Sequence, residues 1–232
     1  MKKVYYNAYD ERYKKVHEKK LSWTVDNNSE IIEKTINKYN ISKDSIILEI
    51  GCGEGRDARY LLNKGYNVSA TDVSKEAIRY CKEHDKEHST NYSVLDVLDN
   101  SDNQEYDFIY SIACIHMLVL DEDRTKYYDF IYNHLKKDGL ALILSMGDGQ
   151  IESKSNISDA YNEVKRVHTE TKEEMLLPAT SCRIVNMDNF IKEAKSSNLK
   201  ILESGVTSII PEFNEIMYIV VKKESVWVRK NW

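Results

Sequence analysis

The sequence has only two prolines and eight glycines among its 232 residues. A flexible linker between domains is therefore not expected, and residues 1–232 read as one domain with enough chain for a substantial core. Its four cysteines, Cys52, Cys81, Cys114 and Cys182, contain no C-x-x-C pair. That excludes a dense disulfide scaffold and points to free thiols in a reducing, cytoplasmic setting. No apolar run is long enough to span a bilayer. The basic start Met1-Lys2-Lys3 leads into tyrosines and charges rather than the apolar stretch of a signal peptide. A positive excess is also missing: the net charge is −5, so extensive nucleic-acid contact is not expected. What remains, 41% hydrophobic and 31% charged residues, is the composition of a soluble globular protein.

The most informative stretch is Ile46-Ile47-Leu48-Glu49-Ile50-Gly51-Cys52-Gly53-Glu54-Gly55-Arg56. A short apolar run reads as a buried strand. The glycines then force a tight turn, and Arg56 to Leu62 supplies helix formers. Glycine lets the backbone turn sharply and approach a ligand closely, and the helix start beyond offers free N–H groups. A dinucleotide fingerprint would place its third glycine three residues after the second. Here Arg56 holds that position, the glycines fall at 51, 53 and 55, and an acid, Glu49, sits in the strand end. An acid there repels a pyrophosphate but suits an ammonium group. The pattern fits a ligand that joins an amino acid to a nucleoside without phosphates, which describes S-adenosylmethionine.

Glu49-x-Gly51-x-Gly53-x-Gly55 resembles the first motif of the class I S-adenosylmethionine-dependent methyltransferases, and the resemblance runs from about Ile46 to Val221. Within that superfamily, residues 51–74 are similar to the small-molecule methyltransferases of the tellurite-resistance and thiopurine type. The resemblance implies an α/β, Rossmann-like fold: a seven-stranded, mostly parallel sheet with an antiparallel last strand and helices on both faces. It implies a cofactor set of Glu49, Gly51, Cys52, Gly53, Gly55, Arg56, Asp72, Val73, Asp96, Val97 and Ser111. Asp72, at the end of a strand over Tyr66–Asp72, would accept from the ribose diol. Asp96, after a strand over Asn91–Leu95, would accept from the adenine amino group, with Val97 supplying an amide.

Other segments carry weaker signals. Residues 1–40 read as a helical lid rich in aromatics (Tyr5, Tyr6, Tyr9, Tyr13 and Trp23), with Ser29 capping a helix to Tyr39. Tyr13 and Trp23 are candidates to face the substrate, since a sulfonium cation sits well against aromatic rings. His84 and His88 are spaced like a zinc pair on a helix, but a solvated helix end is the better reading and no metal is expected. Tyr106–Ile112 reads as a further strand, with Asp107 in a structural role. No Asn/Asp-Pro-Pro-aromatic stretch follows it, which weighs against methylation of amide or base nitrogens. His116 is the candidate general base, with simple packing as its alternative. Residues 146–186 read as a substrate-covering insertion. There Arg183 is a candidate to hold an anionic group, while His168 is placed on a solvated helix. The last two strands, joined through Pro211, read as a terminal hairpin. The activity implied is methyl transfer to a small-molecule nucleophile by a monomer or homodimer. Protein methylation, or cofactor binding without catalysis, are the alternatives.

Overall fold

The computed structural model describes residues 4–25, 27–99, 103–168, 171–210 and 213–224. Pro211 and the tail Val226–Trp232 lie outside the described residues. A 3-10 turn at Tyr5–Asn7 leads into α1 (Ala8–Glu18) and α2 (Glu30–Tyr39). The alternation that follows is β1 (Ile46–Ile50), α3 (Arg56–Asn63), β2 (Asn67–Asp72), α4 (Lys75–His84), β3 (Tyr92–Val94), β4 (Tyr106–Ser111), α5 (Asp121–His134) and β5 (Leu135–Met146). Four short strands come next: β6 (Ser153–Lys154), β7 (Glu163–Val167), β8 (Glu174–Pro178) and β9 (Arg183–Ile184). The described chain closes with α6 (Met187–Ser196), β10 (Leu199–Thr207) and β11 (Ile216–Lys223).

Seven strands form one sheet in the order β10-β11-β5-β4-β1-β2-β3. The five from β5 to β3 are parallel, whereas β11 runs antiparallel to both β5 and β10. This is the architecture expected from the sequence. Alternate residues of each strand serve opposite faces, because side chains alternate along a strand. Ile47, Phe108, Tyr110 and Leu142 meet α2, α3 and α4 on one face. Leu48, Ile109, Ala141 and Ile143 meet α5 and α6 on the other. Both faces are covered, so the central strands read as continuous apolar runs.

Several local expectations need correction. Ser29 does not cap α2: its hydroxyl donates to Asp57 at 2.8 Å and its amide to the same carboxylate at 2.7 Å. The helix read as carrying both His84 and His88 ends at His84, and His88 bonds Asp85 three residues back while His84 bonds the Tyr80 carbonyl. Residues 146–186 are built of two small two-stranded sheets, β6 with β9 and β7 with β8. His168 stands at the end of that second hairpin rather than on a solvated helix. It is buried, with Nε2 on the Ser22 carbonyl at 2.7 Å. Asp107 plays the structural part expected of it, accepting from the Ile46 amide and from Lys136, both at 2.8 Å.

Phe108 in the central β4 is wholly buried between helices. Phe108→Ala should cost about 3–5 kcal/mol of unfolding free energy, read as a lowered urea midpoint at unchanged slope.

Candidate active site

The parallel strands end together on one side of the sheet, and a cavity opens there between the glycine turn, the β2 and β3 ends and the loop after β4. Its wall is made by Ile50, Gly51, Asp72, Val73, Leu95–Leu98, Cys114, Met117, Leu118 and Tyr127, with Tyr6, Tyr9 and Tyr13 above. The place is the one where open α/β sheets bind ligands, the carboxyl ends of the strands at a topological switch.

The glycine turn is shaped by contacts as much as by dihedrals. Gly51, Gly53 and Gly55 all have φ between +53° and +78°, a region that costs other residues strain. A Cβ on Gly51 would sit 2.8 Å from the Cys114 sulfur, and one on Gly53 would sit 2.8 Å from the Tyr13 hydroxyl. Asp72 ties the turn to α4: Oδ2 accepts from the Gly53 amide at 2.9 Å and Oδ1 from the Ser74 amide at 2.8 Å. Burial nevertheless holds its carboxyl above the usual range. Each oxygen keeps a further lone pair for a ligand hydroxyl. Asp96 accepts from the Tyr6 hydroxyl at 2.9 Å and from the Leu98 amide at 3.0 Å.

The covering segment is fastened at many points. Tyr5 donates to Asp123 at 2.6 Å and accepts from the Val119 amide at 3.0 Å. Asp10 accepts from the Ser74 hydroxyl at 2.8 Å and the Glu76 amide at 2.9 Å, so α1 closes the start of α4. Arg12 reaches Pro178, Ala179 and Thr180 at 2.9–3.0 Å. The strongest joint is Glu54, the residue between the second and third glycines. Its carboxylate has five donors within reach: His17 Nε2 (2.8 Å), the Ser22 hydroxyl (2.7 Å), the Trp23 amide (2.8 Å), and the Thr24 amide (2.8 Å) and hydroxyl (2.7 Å). Burial alone would raise its pKa, but these donors outweigh it and the carboxyl lies below its ordinary value.

The structure divides the sequence candidates. Gly51, Asp72, Val73, Asp96, Val97 and Tyr13 come together on the cavity wall. Glu49 does not: it is buried under the sheet end, 3.0 Å from the Tyr110 hydroxyl, where burial and then nearby Asp57 hold its pKa well above normal. Arg56 turns its guanidinium to Asp57 and the Ser29 hydroxyl, at 2.9 and 2.8 Å. Cys52 lies under the turn, and Ser111 sits behind Cys114 and Tyr127 at the β4 end. Trp23 packs on Val16, Met175 and Leu177, with Arg12 5.0 Å over its ring. Arg183 lies in a separate surface groove, bonded to the Val119 carbonyl and Asp121. His116 is 3% exposed and off the cavity wall, although Cys114 and Met117 on either side line it. Burial, then Arg124, pushes its pKa down to about 4. Burial likewise pushes the Cys114 thiol up to about 12, so it stays protonated near neutrality. The sequence reading missed Glu54, Asp10 and Tyr127. Tyr6 and Tyr9, read as aromatics of the lid, stand on the wall with Tyr13.

Comparison with known proteins agrees with this geometry. Residues 47–139 match the family model described as a methyltransferase domain. A ubiquinone biosynthesis O-methyltransferase from Rickettsia canadensis is 30% identical over 115 residues, 49% of this chain and 48% of that protein. Ribosomal RNA small subunit methyltransferase A of Francisella tularensis subsp. novicida is 34% identical over 106 residues, 42% and 40% of the two chains. The chain thus spans about half the length or less of these curated relatives. The methyltransferase CcbJ from Streptomyces caelestis superposes with a TM-score of 0.67 over 96% of this chain and 99% of its own, at 13% identity, which speaks to fold alone. Residues 47–139 are thus similar to a methyltransferase domain, and the whole sheet shares the fold of a solved methyltransferase.

Because His116 is buried neutral, its folded pKa lies below the unfolded value of 6.5. The unfolded chain then binds more protons, and stability falls as pH drops from 6.5 towards 4, by up to ~3 kcal/mol. His116→Leu should flatten that part of a stability–pH curve from urea melts. A curve as steep as the wild type would show that His116 is not the group responsible.

Proposed function

We propose that the chain transfers a methyl group from S-adenosylmethionine to a small-molecule nucleophile. The observation that carries this reading is the lining of the cavity at the strand ends, where Gly51, Asp72, Asp96 and Val97 meet beneath Tyr6, Tyr9 and Tyr13. The residues fit the cofactor. Asp72 has lone pairs free for a ribose diol, Asp96 and the Val97 amide suit an adenine edge, and Gly51 lets the turn lie against Cys114, whose sulfur a Cβ would meet at 2.8 Å. Tyrosine faces suit a sulfonium cation. When bound, S-adenosylmethionine supplies an electrophilic methyl on a positively charged sulfur.

The chain's part is to hold the two reactants in line and exclude water, which can supply much of the rate. His116 takes no proton from the acceptor in this reading, since it is off the wall and holds its neutral form near pH 7. Asp72 and Asp96 already accept from backbone and phenol donors. The acceptor therefore reacts as a group that ionises readily or is nucleophilic when neutral. Residues 1–40 serve as lid and 146–186 as the cover over the acceptor, with Arg183 and Trp23 fastening these parts rather than touching substrate. The similarity of residues 51–74 to tellurite-resistance and thiopurine-type enzymes, and the net charge of −5, favour a small acceptor over RNA. We place the protein in the cytoplasm, as a monomer or homodimer. Among the described residues no helix is long and apolar enough to cross a membrane, and none of the His, Cys, Asp and Glu side chains cluster as a metal site.

Calorimetric titration with S-adenosylhomocysteine, with NAD as control, tests the reading. Binding of the first alone is expected, followed by methyl transfer in an acceptor screen. Asp72→Ala should weaken binding at least about tenfold, the worth of one or two charge-assisted hydrogen bonds. Unchanged affinity in a folded variant would remove Asp72 from the site. His116→Gln should leave the pH dependence of turnover unaltered, whereas loss of a rate limb would restore it as a base.

A further inference from the structure

His17 lies outside the cavity, yet it joins the lid to both elements that frame the cofactor site. Its Nε2 is 2.8 Å from Glu54 in the glycine turn, and its Nδ1 is 2.7 Å from Glu76 in the first turn of α4. The ring is stacked between Tyr13, at 5.9 Å, and Tyr80, at 4.2 Å, with His84 stacked behind Tyr80. Its side chain is 4% exposed. One turn earlier on the same helix, the Tyr13 hydroxyl rests against Gly53 and lines the cavity.

We propose that the His17 imidazolium, clamped between Glu54 and Glu76, is a positioning residue that holds α1 and its tyrosines over the bound cofactor, so that release of the cofactor product is gated by this single proton. The inference rests on the proposed cofactor reading and adds the means by which the site opens. An imidazolium donates through both nitrogens, which is what two flanking carboxylates require. A neutral imidazole has one N–H. One carboxylate would then face the lone pair of the bare nitrogen, and the buried Glu54 would lose a charged partner.

The surrounding charges set the working range. From the glycine turn His17 faces Glu54, and from α4 it faces Glu76, whose other charged partner is Arg79, itself also paired with Glu83. Tyr13 and Tyr80 lie against its ring. Burial pulls the His17 pKa down, but the hydrogen bonds to Glu54 and Glu76 outweigh it and leave the value above 6.5. The stabilisation is thus full below 6.5 and fades as pH rises through the folded value. Glu54 has the opposite sense: its folded pKa is below the ordinary 4.5, so its contribution is present above 4.5 and lost only as pH falls through that lowered value. The latch is closed below pH 6.5 and opens as the pH rises through the raised folded value.

Trp23 is the lid's own fluorophore, its amide bonded to Glu54, and Trp227→Phe with Trp232→Phe leaves it as the only tryptophan. In that background, stopped-flow displacement of S-adenosylhomocysteine is followed from pH 6 to 9.5. Dissociation should accelerate about tenfold or more with rising pH, the worth of one charged hydrogen bond, along a single titration. His17→Gln should release fast at every pH, and His17→Lys, which keeps the charge, should lose the pH dependence while staying slower than Gln. Exchange of the Thr24 amide in the unliganded protein, expressed as protection relative to the base-catalysed intrinsic rate, should follow the same titration in the wild type and not in His17→Gln. A rate and an exchange profile that are flat in the wild type, or that keep their slope in His17→Gln, would overturn the gate. Failure of S-adenosylhomocysteine to bind at any pH would strike the cofactor reading instead, and the Thr24 exchange would still report on the latch.

Discussion

A buried carboxylate in a glycine turn is costly unless its lone pairs are filled, and that constraint organises this molecule. Glu54 is 2% exposed, and the groups that satisfy it come from residues 17–24, far along the chain from the strands that frame the turn. An isolated charge there would carry a desolvation penalty of several kcal/mol. The turn cannot take its shape cheaply without the lid, and among the lid's several anchors Glu54 gathers five donors. The segment that roofs the cavity and the loop that forms its floor are therefore stabilised as one unit.

The rest of the site follows from that coupling. Once residues 22–24 are drawn onto Glu54 and His17 is drawn between Glu54 and Glu76, α1 has little freedom left. Asp10 then meets the start of α4, Tyr13 lies on Gly53, and Tyr6 reaches Asp96. The hairpin β7–β8 joins the same cover through Arg12 and His168. Parallel strands deliver the floor, but the roof is held by charged and polar contacts, which open at far less cost than an apolar core. A site that must admit and release its ligand in every turnover needs this division.

Much of the fold was legible in the sequence because it rests on local signals. The apolar run at 46–50, and the glycines that follow it at 51, 53 and 55, speak for themselves within a few residues. Asp72 and Asp96 were legible by their place at strand ends, and both reach the wall. The failures share a cause in distance. Ser29 looks like a helix cap, but the Asp57–Arg56 pair competes for it from 28 residues away. Glu54 occupies a position that the glycine motif leaves open, and nothing near it in sequence announces its partners. His168 sits among charged neighbours, yet the hairpin folds it onto the Ser22 carbonyl. Arg183 and His116 carried the right chemistry in the right region, and only packing showed that each faces away from the cavity.

The central claim is that cofactor binding and lid closure are one event around Glu54. Hydrogen–deuterium exchange of the Gly53, Trp23 and Thr24 amides, with and without saturating S-adenosylhomocysteine, tests it most directly. The account requires all three to slow together on binding, although Trp23 and Thr24 do not line the cavity. Protection confined to the glycine turn, with Trp23 and Thr24 exchanging as before, would contradict it.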